Sequence, residues 1–161
     1  MPINLNHILI LDNIRSAENV GAIFRTADGV GIEEIVLCGV TPDPIDRFGR
    51  PNPKIAKSSL GAEKTIKWNH VSDILSEIDR FKKEGYQIVA IELTENSVDY
   101  KKVKIDSKTV FILGSETEGI QKEILETSDI VTEIPMQGKK ESLNVSVAAG
   151  IILYDACNRN T

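Results

Sequence analysis

Long apolar runs, histidine and cysteine are all scarce in this 161-residue chain, and each scarcity removes a class of function. No apolar stretch approaches the ~20 residues that a membrane-spanning helix needs. The opening residues Met1-Pro2-Ile3-Asn4 carry no basic segment leading into an apolar one, so no secretory signal is read. The two cysteines, Cys38 and Cys157, stand in apolar surroundings and are expected to be buried free thiols in a reducing compartment, which points to the cytoplasm. The two histidines, His7 and His70, have no cysteine or carboxylate partner close in sequence. They read as structural or surface residues, no Ser-His-Asp arrangement is indicated, and no metal is expected. Two familiar phosphate-binding signatures are also missing: no Gly-Lys-Ser/Thr ends a glycine-rich loop, and no Gly-x-Gly-x-x-Gly opens a helix.

What is present is the composition of one globular domain, 41% hydrophobic and 27% charged. A chain of this length buries about 68–70% of its unfolded surface on folding. The net charge of −5 argues against indiscriminate binding of nucleic acid over the whole surface. The charge is uneven, however. Between Thr41 and His70, Arg47, Arg50, Lys54, Lys57, Lys64 and Lys67 outnumber Asp43, Asp46 and Glu63. Screening confines each charge to a neighbourhood of about 8–10 Å, so a local basic face can grip phosphates on an acidic protein. A solvated loop and helix without a partner is the plain alternative.

Short apolar strands alternate with helical patterns. His7–Leu11, Glu34–Cys38, Gln87–Leu93, Thr109–Leu113 and Ile130–Ile134 read as buried strands. Helices are expected from about Glu18 to Asp28, near Pro53, after Ser72, around Ile120 to Glu126 and from Ser142 to Cys157. The first has Val20, Ile23, Phe24 and Ala27 in one stripe and ends at Gly29 and Gly31. Ile74, Leu75, Ile78 and Phe81 form the stripe of the third, capped by Ser72 and ended by Gly85. The proline-rich segment from Thr41 to Asn52 is a long loop of the kind that is often functional. The alternation predicts an α/β domain, a mostly parallel sheet with helices on both faces, over residues 1–161.

Three segments stand where strands or turns meet helices, the places where α/β folds present polar groups to ligands. In Asn19-Val20-Gly21-Ala22-Ile23-Phe24-Arg25, Arg25 leans over the turn holding Gly21, whose missing side chain leaves clearance for the guanidinium or a substrate, and Asn19 is a candidate cap. A surface Arg25 paired with Asp28, and a Gly21 that permits close packing, is the alternative. Gly114-Ser115-Glu116-Thr117-Glu118-Gly119 makes a tight turn whose acids disfavour a phosphate and suit hydroxyls or positive charge; an ordinary turn with glutamates capping a helix is the alternative. In the third segment, Ile134-Pro135-Met136 runs on to Ser142-Leu143-Asn144. Ser142 suits an N-cap, while Asn144 is a poor helix former before an apolar stretch, unless it is a buried amide satisfied by backbone. From Val145 to Tyr154 the last helix is apolar on almost every side, so it must be covered by its own chain or by a second subunit.

Taken together, Asn19-x-Gly21-x-x-x-Arg25-Thr26-Ala27, Gly114-x-Glu116-x-x-Gly119 and Ile134-Pro135-Met136…Ser142-Leu143-Asn144-Val145-Ser146-Val147-Ala148 resemble the three motifs of the SpoU (TrmH-like) family of RNA 2′-O-ribose methyltransferases in the SPOUT superfamily. The resemblance implies a C-terminal trefoil knot, a homodimer and S-adenosylmethionine as cofactor, with tRNA or rRNA as substrate; the N-terminal RNA-binding extension of some family members is not expected here, which leaves the choice of RNA open. It assigns cofactor contacts to Leu93, Gly114, Glu116, Gly119, Ile134, Met136, Leu143 and Asn144. It places Arg25 at the ribose hydroxyl, with Asn19, Glu116, Ser142 and Asn144 around it. Arg15, Arg47, Arg50, Lys54 and Lys57 are the candidate RNA contacts, and Glu116 is expected to accept hydrogen bonds from the cofactor or from Arg15. A non-catalytic RNA-binding or ribosome-assembly module of the same fold is the main alternative; a flavodoxin-type nucleotide-binding regulator is disfavoured by the acidic second segment.

Overall fold

The computed structural model describes residues 5–159; Met1 to Asn4, where no signal segment is read, lie outside the described residues, as do the last two. Strands β1 (Asn6–Asp12), β2 (Glu34–Cys38), β3 (Lys67–Val71), β4 (Gln87–Ile91), β5 (Val98–Asp99), β6 (Lys108–Leu113) and β7 (Ile130–Glu133) form one sheet in the order β3-β2-β1-β6-β4-β7-β5. Every pairing in it is parallel. Helices α1 (Ala17–Val30), α2 (Pro53–Ser59), α3 (Ile74–Lys83), α4 (Lys122–Thr127) and α5 (Val145–Asn158) cover it. Among the described residues no helix is long and apolar enough to cross a membrane.

The unbroken apolar strands of the sequence are explained by burial on both sides. Side chains alternate across a strand, so residues two apart share a face. Leu9, Leu11, Ile35, Leu37, Val89, Ile91, Phe111 and Leu113 join the core cluster beneath α1, α2 and α5. Ile8, Ile10, Val36, Cys38, Ile88, Ala90, Val110 and Ile112 join the cluster beneath α3 and α4. Strands buried on both faces have no polar alternation to show.

Several boundaries differ from the sequence expectation for reasons of capping. Ser16, not Asn19, caps α1, its side chain accepting from the Asn19 amide at 3.2 Å. Gly29 stays inside that helix, and Gly31, at φ +82°, ends it. Asp73 replaces Ser72 as the cap of α3, accepting from Ser76 N at 3.2 Å. Leu75 is 41% exposed and lies off the buried stripe of Ile78 and Phe81. The last helix begins at Val145, capped by Asn144 rather than Ser142, which accounts for a poor helix former at that position. The edge strands β3 and β5 carry polar and charged residues at half or more of their positions, so apolar patterning does not announce them.

Gly21 is buried where α1 crosses α2, and a Cβ there would lie 1.9 Å from Ser58 Oγ and 2.6 Å from the Ile55 carbonyl. The space expected to receive a guanidinium or substrate is filled by α2; close helix packing is what the glycine provides. Nor does Arg25 pair with Asp28, whose carboxylate accepts from Thr65 Oγ1 at 3.1 Å.

His7 is 1% exposed, edge-on to Phe111, with Nε2–H donating to the Asp106 carbonyl at 3.2 Å and Nδ1 at 3.2 Å from Cys157 Sγ. Burial lowers its pKa below 6.5, against the upward pull of the Asp106 bond. Both cysteines are free and buried, and burial pushes Cys38 up to about 12, with Asp12 and Glu77 adding to it, and Cys157 up to about 11. The His7 shift has a testable sign. Below pH 6.5 the unfolded chain takes up a proton that the folded chain resists, so stability falls as pH drops, by up to about 1.4 kcal/mol per pH unit. Thermal unfolding between pH 7 and 5.5 should show a steeper loss for the parent than for His7→Gln. Asp12, raised by burial, acts in the opposite sense in both proteins and cancels in the comparison.

Candidate active site

A cleft of about 790 Å³ opens at the carboxyl ends of the adjacent strands β6, β4 and β7. Such a position is where open parallel sheets bind ligands, and the volume falls within the roughly 300–1,000 Å³ usual for small-molecule sites. Its walls are the residues after β4 (Glu92, Leu93, Thr94), the turn after β6 (Gly114 to Ile120), Glu133 and Ile134 at the end of β7, and the stretch from Glu141 into α5.

The turn after β6 is held from two sides. Gly114 is buried, and an added Cβ would meet Ile120 Cγ1 at 2.6 Å and Ile120 N at 2.8 Å. Ser115 Oγ accepts from the amides of Thr117 and Glu118, each at 3.3 Å, and the Gly119 amide donates to the Ser115 carbonyl at 2.9 Å. Glu92, one residue past β4, accepts from Ile120 N at 2.9 Å and from Leu93 N at 3.1 Å. Gly119, at φ +68°, runs so close to it that a Cβ would lie 2.5 Å from Glu92 Oε2. The amides of Thr117, Glu118, Gly119 and Ile120 therefore donate within the protein rather than forming an anion nest. The alternative in which its glutamates cap α4 also fails, since that helix has no side-chain cap. Sequence assigns no role to Glu92, whose one signal is a carboxylate within the apolar stretch Gln87–Leu93; the strand itself ends at Ile91, and Ser115 is named from sequence only as a member of its segment.

The three remote segments meet at the mouth of the cleft. Asn19 Nδ2 donates to Glu116 Oε1 at 3.4 Å, and Asn144 Nδ2 donates to Asn19 Oδ1 at 3.3 Å. Asn144 Oδ1 in turn accepts from Ser146 N at 2.9 Å. Glu116 also accepts from Arg15, but from the backbone amide at 3.3 Å; the guanidinium lies 3.9 Å from Glu118 instead.

Of the residues singled out from sequence, Leu93, Gly114, Glu116, Gly119, Ile134, Ser142, Leu143 and Asn144 line the cleft, and Asn19 joins through its hydrogen bonds. Met136 is half-buried and not part of the lining. Arg25 is exposed, six residues beyond Asn19 or about 9 Å along the helix, and does not line the cleft of its own chain. Arg15, Arg47, Arg50, Lys54 and Lys57 are exposed outside it. His70 has the carboxylate partner its sequence neighbourhood lacks: Nδ1 is 2.6 Å from Asp43, with Nε2 3.0 Å from the Gly39 carbonyl. Among the described residues, no cluster of three His, Cys, Asp or Glu is placed to hold a metal.

The electrostatics of the cleft are one-sided. Glu92, Glu116, Glu118, Glu133 and Glu141 line it, with no Lys, Arg or His. A phosphate would meet repulsion there, whereas a cation carrying an apolar or aromatic body would find both charge and the surfaces of Leu93, Ile134 and Leu143.

Known proteins are similar to this chain in sequence and fold. A Staphylococcus saprophyticus protein named for the TrmH family of tRNA/rRNA methyltransferases is 34% identical over 151 residues, which cover 94% of this chain and 58% of that protein. The tRNA (guanosine(18)-2′-O)-methyltransferase of Aquifex aeolicus is 35% identical over 153 residues, covering 92% of this chain and 67% of its own. The AdoMet-bound rRNA methyltransferase of Sinorhizobium meliloti shares the fold with a TM-score of 0.85 at 28% identity, over 97% of this chain and 57% of that one. The chain thus spans about three-fifths of the length of the Staphylococcus relative. The SpoU rRNA methylase model matches residues 6–154, nearly the whole sequence, and with this fold and this cleft the chain belongs to the SpoU rRNA methylase family.

Proposed function

We propose that the protein transfers the methyl group of S-adenosylmethionine to a ribose 2′-hydroxyl of tRNA or rRNA. The observation that carries this reading is the convergence of Asn19, Glu116 and Asn144, from three distant segments, at the mouth of one acidic cleft. The AdoMet-bound Sinorhizobium structure supports the cofactor, and the 2′-O activity named for the Aquifex relative supports the ribose hydroxyl.

The residues present fit that cofactor. Its sulfonium and ammonium suit a lining with five glutamates and no basic side chain, and its adenosine suits Leu93, Ile134 and Leu143 with the neighbouring backbone. When bound, S-adenosylmethionine supplies an activated methyl group. The protein has to hold the ribose hydroxyl in line and stabilise its oxygen as the proton leaves. Glu116 fixes Asn19 and, through it, Asn144. Arg25 is assigned to the hydroxyl: a guanidinium is a donor-only cation, so its role is to stabilise a developing alkoxide while another group or water takes the proton.

Because Arg25 does not line its own cleft, the reading includes a homodimer in which a second copy supplies it. Val147 and Tyr154, each 49% exposed on the apolar helix α5, are the surface such a copy would cover. The same reading includes the knotted C-terminus: the stretch from Glu141 to Asn144 lines one cleft with the turns after β4 and β6 before α5 packs on α1, a path compatible with threading. RNA contacts fall to Arg15, Arg47, Arg50, Lys54 and Lys57.

The test is labelled methyl transfer to bulk RNA from cells lacking the protein. Label should appear in alkali-resistant dinucleotides, since 2′-O-methylation blocks cleavage at that bond. RNA affinity should fall steeply with salt, with a log–log slope of about −0.7 to −0.9 per phosphate contact. Binding of both S-adenosylmethionine and RNA without transfer of label would establish a non-catalytic RNA-binding module instead.

A further inference from the structure

The segment between β2 and α2 is an ordered hairpin rather than a slack loop. Thr41 Oγ1 ties its base to the sheet, donating to the Cys38 carbonyl at 2.7 Å and accepting from Ile14 N at 3.1 Å. Ile45 bridges Pro51, and the Asn52 amide reaches the Pro44 carbonyl at 2.9 Å. At the tip, the Asp46 carboxylate accepts from Phe48 N at 2.8 Å, Arg50 N at 3.0 Å and Arg50 Nε at 2.8 Å, while Gly49 turns the chain at φ +78°. The tip so held presents the ring of Phe48, which is 66% exposed and belongs to neither core cluster.

The ring is not left bare. The guanidinium of Arg47 sits 4.8 Å from its centroid and that of Arg50 sits 5.0 Å away. The two arginines differ in freedom: Arg50 is pinned by Asp46, whereas Arg47 has no ion pair among the described residues. Both acids of the hairpin are engaged, Asp43 with His70 and Asp46 with Arg50, and Lys54 and Lys57 lie exposed on the helix that follows. An aromatic face with one fixed and one movable guanidinium, beside two exposed lysines, has the chemistry of a site for a stacked base with phosphates on either side.

We infer that Phe48 is the stacking platform for an unpaired base of the RNA. The base takes the place of the Arg47 guanidinium over the ring, and Arg47 swings to a flanking phosphate. Bases inside a duplex are already stacked on their neighbours, so the site selects single-stranded or looped RNA. This inference rests on the proposed function only in taking RNA as the substrate.

The test uses the whole protein with a short unstructured RNA oligonucleotide and the same sequence as a duplex. Phe48→Ala should weaken binding of the single strand by about 5- to 100-fold, with the salt slope unchanged because no charge is lost, and Phe48→Tyr should restore it. In Phe48→Trp, the new indole should be quenched by the single strand and not by the duplex. Equal affinity of Phe48→Ala and the parent, or an unmoved indole emission from Phe48→Trp with RNA bound, would overturn the inference. So would sedimentation showing that Phe48→Ala breaks a dimer, which would make the tip a contact between copies. Failure of methyl transfer together with Phe48-dependent binding would sink the proposed activity and leave this site standing; methyl transfer by Phe48→Ala at an unaltered KM would do the reverse.

Discussion

Replacing Arg25 by alanine is expected to lower methyl transfer by about 10²- to 10⁴-fold while leaving S-adenosylmethionine affinity as it was. The two halves of this expectation have separate grounds. Loss of turnover follows from removing the one cation assigned to the ribose oxygen. Intact cofactor affinity follows from the division of roles: the second copy's Arg25 is assigned to the ribose hydroxyl, and the cofactor to the lining around Leu93, Ile134 and Leu143. Isothermal titration with S-adenosylmethionine beside single-turnover transfer would read both. Arg25→Lys adds a finer distinction: a point charge suffices for simple electrostatic stabilisation, whereas a planar fork holding two oxygens does not tolerate the exchange. Unchanged turnover in Arg25→Ala would remove Arg25 from the chemistry. Mixing Arg25→Ala with Asn144→Ala protein would test the second copy, because shared clefts regain activity in the mixed dimer and self-contained ones do not.

Gly21→Ala is expected to destabilise the fold, although alanine is normally the better helix residue by about 1 kcal/mol. A single methyl group would collide with Ser58 Oγ and, more seriously, with the Ile55 carbonyl, which belongs to the backbone of α2. Ser58 Oγ is itself bonded to the Lys54 carbonyl at 2.9 Å, so it has little freedom to retreat. Overpacking of this kind costs about 1–3 kcal/mol, which at roughly 2–4 °C per kcal/mol for a domain of this size is readily seen in thermal unfolding. Ser58→Gly in the same chain should recover part of the loss but not all of it, because the carbonyl remains. Gly31→Ala would act through its left-handed backbone rather than through contact, as nothing lies within 4 Å of that position.

These two residues show where the sequence could be read and where it could not. The glycine and arginine were both visible as members of one motif, and their shared helical face made a common role attractive. Periodicity cannot say what lies opposite a face, and α2 occupies the space at Gly21 through Ile55 and Ser58, far along the chain. The doubly buried strands were legible because continuous apolar runs have few other uses, whereas β3, with Lys67, Asn69 and His70 at an edge, was not. Part of the cleft lining, from Leu93 and Gly114 to Leu143 and Asn144, was legible through motif resemblance. Glu92 was not, because its role is to hold two neighbouring turns together, and that pairing exists only after β4 and β6 lie side by side. Asn144 illustrates the intermediate case: its unsuitability for a helix was plain, and the structure turns that unsuitability into a cap whose amide also reaches Asn19.

The order of the strands has a consequence for when the protein becomes competent. Its cleft is walled by the tips of β6, β4 and β7 and closed by the start of α5, so a nascent polypeptide that has emerged only as far as β6 owns two of the walls and not the remainder. Ligand occupancy thereby waits for the first turn of α5, and a cofactor bound there would act as a late clamp on the ends of the strands rather than as a seed for their pairing.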